Sequence, residues 1–426
     1  MSSESKIKSD LGKISTTFTY DDPFSVSSDL PIPPKMIEAS MKVIQEQSEK
    51  QFDEIKKIVG DMREARKKLD PLIRIIDGKD TYTEFYGIDG GIGIPSATIG
   101  GTYSSAAGVA YPANEKSEPY IRVDPIVIPA GLGAPHQNYF EMWMKKYESL
   151  VAVEASQTGD CIFLDGTLVP SIFARFLRSA HDYEGLQPDF LSMFEDTFVS
   201  KNGKKSLTDK LIESKVPIVG LPKRSRSRHI INDRLDFMNL PISVSDLMAC
   251  SLLLEPGEYI SPMDYKTLYM AQAGKDSTMS GKELEYAKWH WDLITKFLRE
   301  PDETPKKAGL EGSVETIPYL AENTFVTYFK PIPGSIAIRV EILKKEISNL
   351  EKILGTIQKD FDKISRLPFC VFMADRYSKS NKYVPLMIKT SIASKLVVIA
   401  REKGVVDDNI LWYMNELFSS LGSQEI

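Results

Sequence analysis

The stretch "YGIDGGIGIPSATIGG", residues 86–101, ends a short apolar run in an aspartate and follows it with five glycines and a proline. Two readings compete for Asp89. Asp-Gly is ordinary turn chemistry, because both residues tolerate the backbone angles of a reversal. Asp89 could equally be an acidic ligand at a strand end, with partners arriving from elsewhere in the chain. A second stretch bears on the choice. Residues 160–166, "DCIFLDG", are again a continuous apolar run that ends in Asp-Gly, at Asp165.

Working outward, "YTEFYGID" (82–89) reads as a strand ending at Asp89. "GTYSSAAGVAY" (101–111) and "YIRVDPIVIP" (120–129) read as two more, joined by the turn-like "PANEKSEP". Residues 136–157 have the pattern of a helix, 168–180 that of another, and "VPIVGL" (216–221) that of a buried strand. The segment 323–342 reads as a hairpin around Pro333 and Gly334. Short loops make the first three strands antiparallel, and helical crossovers make the later ones parallel. The predicted class is therefore α/β: a mixed sheet flanked by helices, the arrangement of ribonuclease H-like folds.

The domain boundaries follow from composition. Residues 1–33 are polar and read as a flexible arm, and 34–78 as a helical segment with a stripe of Met41, Ile44, Phe52, Ile55, Val59 and Met62. A similar stripe runs through Ile347, Leu350, Leu354, Ile357 and Phe361. Packing against the protein's own core is the favoured expectation for both stripes, with pairing across a dimer as the alternative. The sheet is assigned to 79–230 and 316–426, and 231–315 reads as an insertion subdomain.

The chain has 426 residues and is 42% hydrophobic, with 53 basic and 59 acidic side chains, so its formal charge is 53 − 59 = −6. Binding to nucleic acid would therefore need a local basic patch. The cysteines Cys161, Cys250 and Cys370 are too far apart for a zinc or disulfide pattern. The N-terminal residues lack the apolar core of a signal peptide, and no run of roughly 18–20 apolar residues is evident. A soluble, cytoplasmic protein without a membrane role is expected. "GKDSTMSGKE" (274–283) has the wrong glycine spacing for a P-loop, and no GxSxG elbow is present.

In a sheet of this kind three acids converge: Asp89, Asp165 and a glutamate of the intervening helix. Glu148 shares a helix face with Met144, Val151 and Ala155, and Glu154 is the competitor, sharing one with Tyr147, Leu150 and Val151. Converging carboxylates repel unless a cation lies between them, and their hard oxygens suit Mg²⁺ or Mn²⁺. Two such ions can activate water and stabilise the leaving oxygen of a phosphodiester. Next to the last parallel strand, Lys223, Arg224, Arg226 and Arg228 place four cations in six residues. They are either phosphate contacts or a solvated charge run.

These residues resemble the NurA family, nucleases that act on DNA ends. The resemblance is carried by "YGIDGG", "MKKYESLVAVEAS" with Glu148 aligned better than Glu154, "IFLDGTLVP", "VPIVGLPKRS" with Lys223, and "IAIRVEI" with Glu341. It implies a ribonuclease H-like fold and manganese-dependent cleavage of single- and double-stranded DNA. It also implies a homodimer and a HerA-type hexameric ATPase as partner in double-strand-break end resection. By this resemblance Asp89, Glu148 and Asp165 would hold the metal, with Lys223 joining them in catalysis. The chain departs from the pattern in having Gly91 for a serine, Thr167 for a second serine, and Thr390 where a histidine follows "YVPL". Lys389, beside Thr390, becomes a candidate phosphate contact. The reading is a metal-dependent DNA nuclease. Its alternatives are a catalytically reduced homologue that binds DNA or a partner, and an unrelated α/β protein whose Asp-Gly pairs are turns.

Overall fold

The computed structural model describes residues 42–44, 46–49, 52, 64–77, 80–98, 101–114, 116–129, 137–169, 187–201, 203–223, 227–235, 244–265 and 316–404. The chain divides into two units, Met1–Asp61 and Met62–Ile426. In the first, the described residues are helical and exposed, Ile44 and Phe52 of the apolar stripe among them.

The second unit is built on one sheet. In chain order its strands are β1 (Ile73–Ile75), β2 (Phe85–Ile92), β3 (Ser96–Thr98), β4 (Gly101–Pro112), β5 (Tyr120–Pro129) and β6 (Cys161–Leu164). They continue as β7 (Ile218–Gly220), β8 (Glu258–Ile260), β9 (Met263–Asp264), β10 (Thr324–Phe329) and β11 (Ile338–Leu343). Their order in space is β1-β8-β10-β11-β7-β6-β2-β4, with β5 on the far edge of β4 and short β3 and β9 added to β4 and β10. The strands β2, β4 and β5 are antiparallel, and β2, β6 and β7 are parallel, as the loop lengths required. All four residues of β6 are buried, the continuous apolar signature of a central parallel strand. The hairpin β10–β11 is antiparallel and joins the sheet beside β7. Of the expected insertion 231–315, residues 258–264 supply β8 and β9 to this same sheet, and 266–315 lie outside the described residues. The arm 1–33 and residues 170–180 of the expected second helix also lie outside them.

One expectation fails at the opening stretch. The strand does not stop at Asp89. It runs on to Ile92, with Asp89 opposite Val109, Gly90 opposite Gly108 and Gly91 opposite Ala107. The glycines answer to packing instead of to a turn. Helix α1 (Gln137–Ala155) crosses one face of β2 and β4; α2 (Asp246–Leu253) and α3 (Leu350–Asp360) follow, and α4 (Phe369–Ser380) crosses the other face. A Cβ on Gly87 would lie 2.3 Å from the Cys370 carbonyl carbon, and one on Gly91 2.2 Å from the Ser378 carbonyl oxygen, both in α4. A Cβ on Gly90 would lie 2.6 Å from Met144 Cγ, and one on Gly108 2.4 Å from the Tyr147 carbonyl, both in α1. Because side chains alternate along a strand, missing Cβ atoms at 87 and 91 admit one helix and those at 90 and 108 admit the other.

The second apolar stripe packs in part: Leu350, Leu354 and Ile357 of α3 are buried in a core cluster with Phe85, Phe163, Val219, Val340 and Ile342, Phe361 packs against it, and Ile347 is exposed. After α4 comes α5 (Val384–Glu402), which packs on β3, β4 and β5. Against the expectation of no candidate span, the helical stretch Phe369–Glu402 is long and apolar enough to cross a membrane by length and composition. Its first part, α4, is packed on the sheet.

Candidate active site

Register and alternation bring the first two acids together. The parallel pairing sets Ile88 beside Leu164 and Leu164 beside Gly220, so Asp89 and Asp165 come next, side by side. The Asp165 amide donates to the Ile88 carbonyl at 2.8 Å. Counting by twos, Asp89 shares a face with Phe85 and Gly87, Asp165 with Cys161 and Phe163, and Lys223 follows Val219 and Leu221. Phe85, Cys161, Phe163, Val219 and Leu221 all belong to the core cluster that also holds Cys370 and Val371 of α4. The acids therefore project from the face that α4 covers.

That helix supplies the third acid. Ligand oxygens of Asp89, Asp165 and Asp375 all lie within 4.8 Å of one another. Lys223 Nζ stands 2.5 Å from Asp165 Oδ2 and 2.7 Å from Asp375 Oδ1, while Lys379 Nζ is 2.7 Å from Asp375 Oδ2. Asp89 is different: its described partner is a hydroxyl, Ser378 Oγ donating to Oδ2 at 2.6 Å. Burial, and then the neighbouring Asp165 carboxylate, push Asp89 up to about 8 against the pull of the Ser378 hydrogen bond. Burial also raises Asp165, to about 6, with Lys223 opposing. For Asp375 burial acts upward too, but the bonds from Lys223 and Lys379 outweigh it and hold it below the ordinary range. Three clustered oxygens, one of them on a half-buried acid without a cation partner among the described residues, form a donor set that fits Mn²⁺ or Mg²⁺.

The other expected residues are placed as follows. Glu148 approaches from α1, on the opposite face, and stays outside the three-acid cluster; its Oε1 takes Lys145 Nζ at 2.6 Å. Its charge still raises both Asp89 and Asp165. The competitor Glu154 is bonded to Arg122 at 2.5 Å. Glu341 lies one residue out of phase with the Val340 and Ile342 that face the site, and is fully buried. Its Oε2 accepts from the Thr167 hydroxyl at 2.7 Å and the Leu168 amide at 2.8 Å, and Oε1 lies 2.7 Å from Arg339. It thus fastens the loop just after Asp165. Arg228 donates to the Val244 carbonyl at 2.6 Å, and Arg224 and Arg226 lie outside the described residues. Lys389 corrects an expectation: within α5 it is 2% exposed and burial lowers its ammonium, so it offers no surface contact to a phosphate. Thr390 is exposed and bonds the Leu386 carbonyl of its own helix.

Asp375 and Ser378 were assigned no role from sequence. The signal that could have found them is Gly87 and Gly91, four apart on one strand face, which demand a closely packed helix there. The serine expected at position 91 has no room beneath α4, and the hydroxyl at Asp89 comes from Ser378 in that helix.

Residues 83–380 match the family model described as the NurA domain. The chain belongs to the NurA family. No curated protein matches it. Among solved structures it is similar to the NurA nuclease from Sulfolobus solfataricus, at 13% identity over 83% of this chain and 97% of that one, TM-score 0.49. A NurA bound to dAMP and manganese matches at 12% identity over 82% and 94% of the two chains, TM-score 0.42. An endonuclease V of Ciona intestinalis in complex with inosine-containing DNA matches at 12% identity over 76% and 98%, TM-score 0.29. This NurA protein is a metal-dependent DNA nuclease by family, and its carboxylate cluster is equipped for that chemistry.

Proposed function

We propose that this NurA protein hydrolyses phosphodiester bonds at DNA ends with Asp89, Asp165 and Asp375 holding Mn²⁺ or Mg²⁺. The observation that carries the reading is the convergence of these three carboxylates from β2, β6 and α4 beside Lys223. When bound, a divalent cation supplies Lewis-acid activation of the phosphate and of water. The chain's own residues do the rest. Lys223 places a fixed positive charge where charge grows on the phosphoryl oxygens. Ser378 orients Asp89, and Glu341 holds the Asp165 loop through Thr167 and Leu168. Glu148, paired with Lys145 on the opposite face, adds negative charge that favours a cation at the cluster.

The finer biology is part of the proposal. A role in double-strand-break end resection, with a HerA-type hexameric ATPase delivering DNA, follows from the family. A homodimer is supported by apolar surface: Ile121, Val123 and Val127 are exposed on edge strand β5, and Leu386 and Met387 on the adjoining α5. Replacing Leu386 by Glu should shift sedimentation towards a monomer.

The decisive assay incubates linear DNA with the protein in Mn²⁺, Mg²⁺ or EDTA, beside Asp89→Ala and Asp165→Ala. Digestion that needs metal and is lost in both folded variants is the expected result. DNA binding without digestion would favour the reduced homologue, for which Thr390 in the histidine's place already speaks. Digestion unchanged by either variant would sink the assignment of the site.

A further inference from the structure

Beside the carboxylates, a cleft of about 230 Å³ opens between the end of β7, the start of β11 and the turn at 365–367. Its walls are aliphatic, from Leu221, Leu247, Ile336, Ile338 and Leu367, and Lys223 forms the border it shares with the three acids. Two of its cations are committed, Lys223 to Asp165 and Asp375, and Arg339 to Glu341. The third, Arg366, is exposed, and its guanidinium has no partner among the described residues. Its backbone is the one described non-glycine with positive φ, at 63°. A left-handed backbone disfavours an arginine, so glycine or asparagine would suit this turn better.

We propose that this cleft seats one unpaired nucleobase of the substrate strand, with Arg366 on an adjoining phosphate. The proposal rests on the nuclease reading, since it is Lys223 that links the cleft to the reacting phosphate. The volume lies below the roughly 300–1,000 Å³ of drug-sized sites, which suits a single planar base and not a base pair. Apolar walls accept the face of any base, and a guanidinium at the rim matches a phosphate in bidentate geometry. A base can enter only when unpaired, so the site selects single-stranded or frayed ends.

The test measures binding of the full chain in EDTA, by fluorescence anisotropy, to oligothymidylate, to an abasic strand of equal length, and to a blunt hairpin duplex. A seated base should give oligothymidylate about a fivefold to tenfold advantage over the abasic strand. Ile336→Trp, at an exposed rim position, should erase that advantage, and Ile336→Glu should do so independently. Arg366→Asn should weaken both strands about fivefold, with Arg366→Lys recovering most of the loss. Equal binding of the normal and abasic strands by wild type, or an advantage that survives both Ile336 variants, would overturn the seat. Cleavage by wild type in Mn²⁺ is scored separately. Base-dependent binding without cleavage would remove the nuclease reading and leave the cleft standing, whereas cleavage without base dependence would remove only the cleft.

Discussion

Two Asp-Gly pairs flank the site, and the same dipeptide solves different problems in each. At Asp89-Gly90 the chain is in the middle of a strand, paired with β4, and the glycine is there because Met144 of α1 presses on it. At Asp165-Gly166 the strand has ended, nothing crowds the glycine, and its φ is +153°, a conformation that side chains rarely adopt. One glycine makes space for a neighbour; the other frees its own backbone. A dipeptide therefore does not say which physical demand it meets, and substitutions can separate the two.

The largest effect belongs to the packing side of this contrast. Gly91→Ala forces a Cβ to 2.2 Å from a backbone oxygen that cannot move without shifting α4. Destabilisation of more than about 3 kcal/mol is expected, visible as insoluble or unfolded protein in denaturant titrations. A folded, near-wild-type variant would mean that α4 does not pack as described. Next comes the third acid. Asp375→Asn should keep the fold but lower Mn²⁺-dependent cleavage by roughly 100-fold, with weaker Mn²⁺ binding by calorimetry, in line with the loss of one ligand-shell group. Retained affinity would confine the metal site to Asp89, Asp165 and Glu148.

A smaller and pH-dependent effect follows from Asp89. Its folded value, about 8, lies above its ordinary carboxylate value, so the folded state binds the extra proton. Stability of the metal-free protein should therefore be greatest at low pH as far as this group is concerned. It should be lost as pH rises through about 8, with a limiting slope of about 1.4 kcal/mol per pH unit. Asp89→Asn should flatten that slope in EDTA, and added Mn²⁺ should flatten it in the wild type. An unchanged slope in the variant would assign the pH dependence elsewhere. On the backbone side, Gly166→Ala should cost about 1–2 kcal/mol and slow cleavage by displacing Asp165, without the collapse expected at Gly91. Smallest is Gly90→Ala, whose clash is with the flexible Met144 side chain; about 1 kcal/mol, read as a shift of a few degrees in Tm, is expected.

Much of the site was legible because strand alternation and loop length are local properties. Two apolar runs with equivalent Asp positions in parallel register place Asp89 and Asp165 together, and the same counting by twos carries Lys223 to their face. That counting also predicts what happened to Glu341, which falls out of phase and turns to the Thr167 loop instead. The extent of the opening strand was misread because glycines look like turn residues until the helices that need them are in place.

By itself, the sequence determined the order and direction of the central strands, the burial of β6 and the meeting of two aspartates, since each depends on neighbours along the chain. Only the tertiary structure decided that Asp375 completes the cluster, that Ser378 supplies the hydroxyl at Asp89, that Glu148 is held apart by Lys145, and that Lys389 is buried. Those outcomes depend on where helices land on a sheet, and the packing that sets them is summed over contacts between segments hundreds of residues apart, as in the bond between Ser378 and Asp89 across 289 positions.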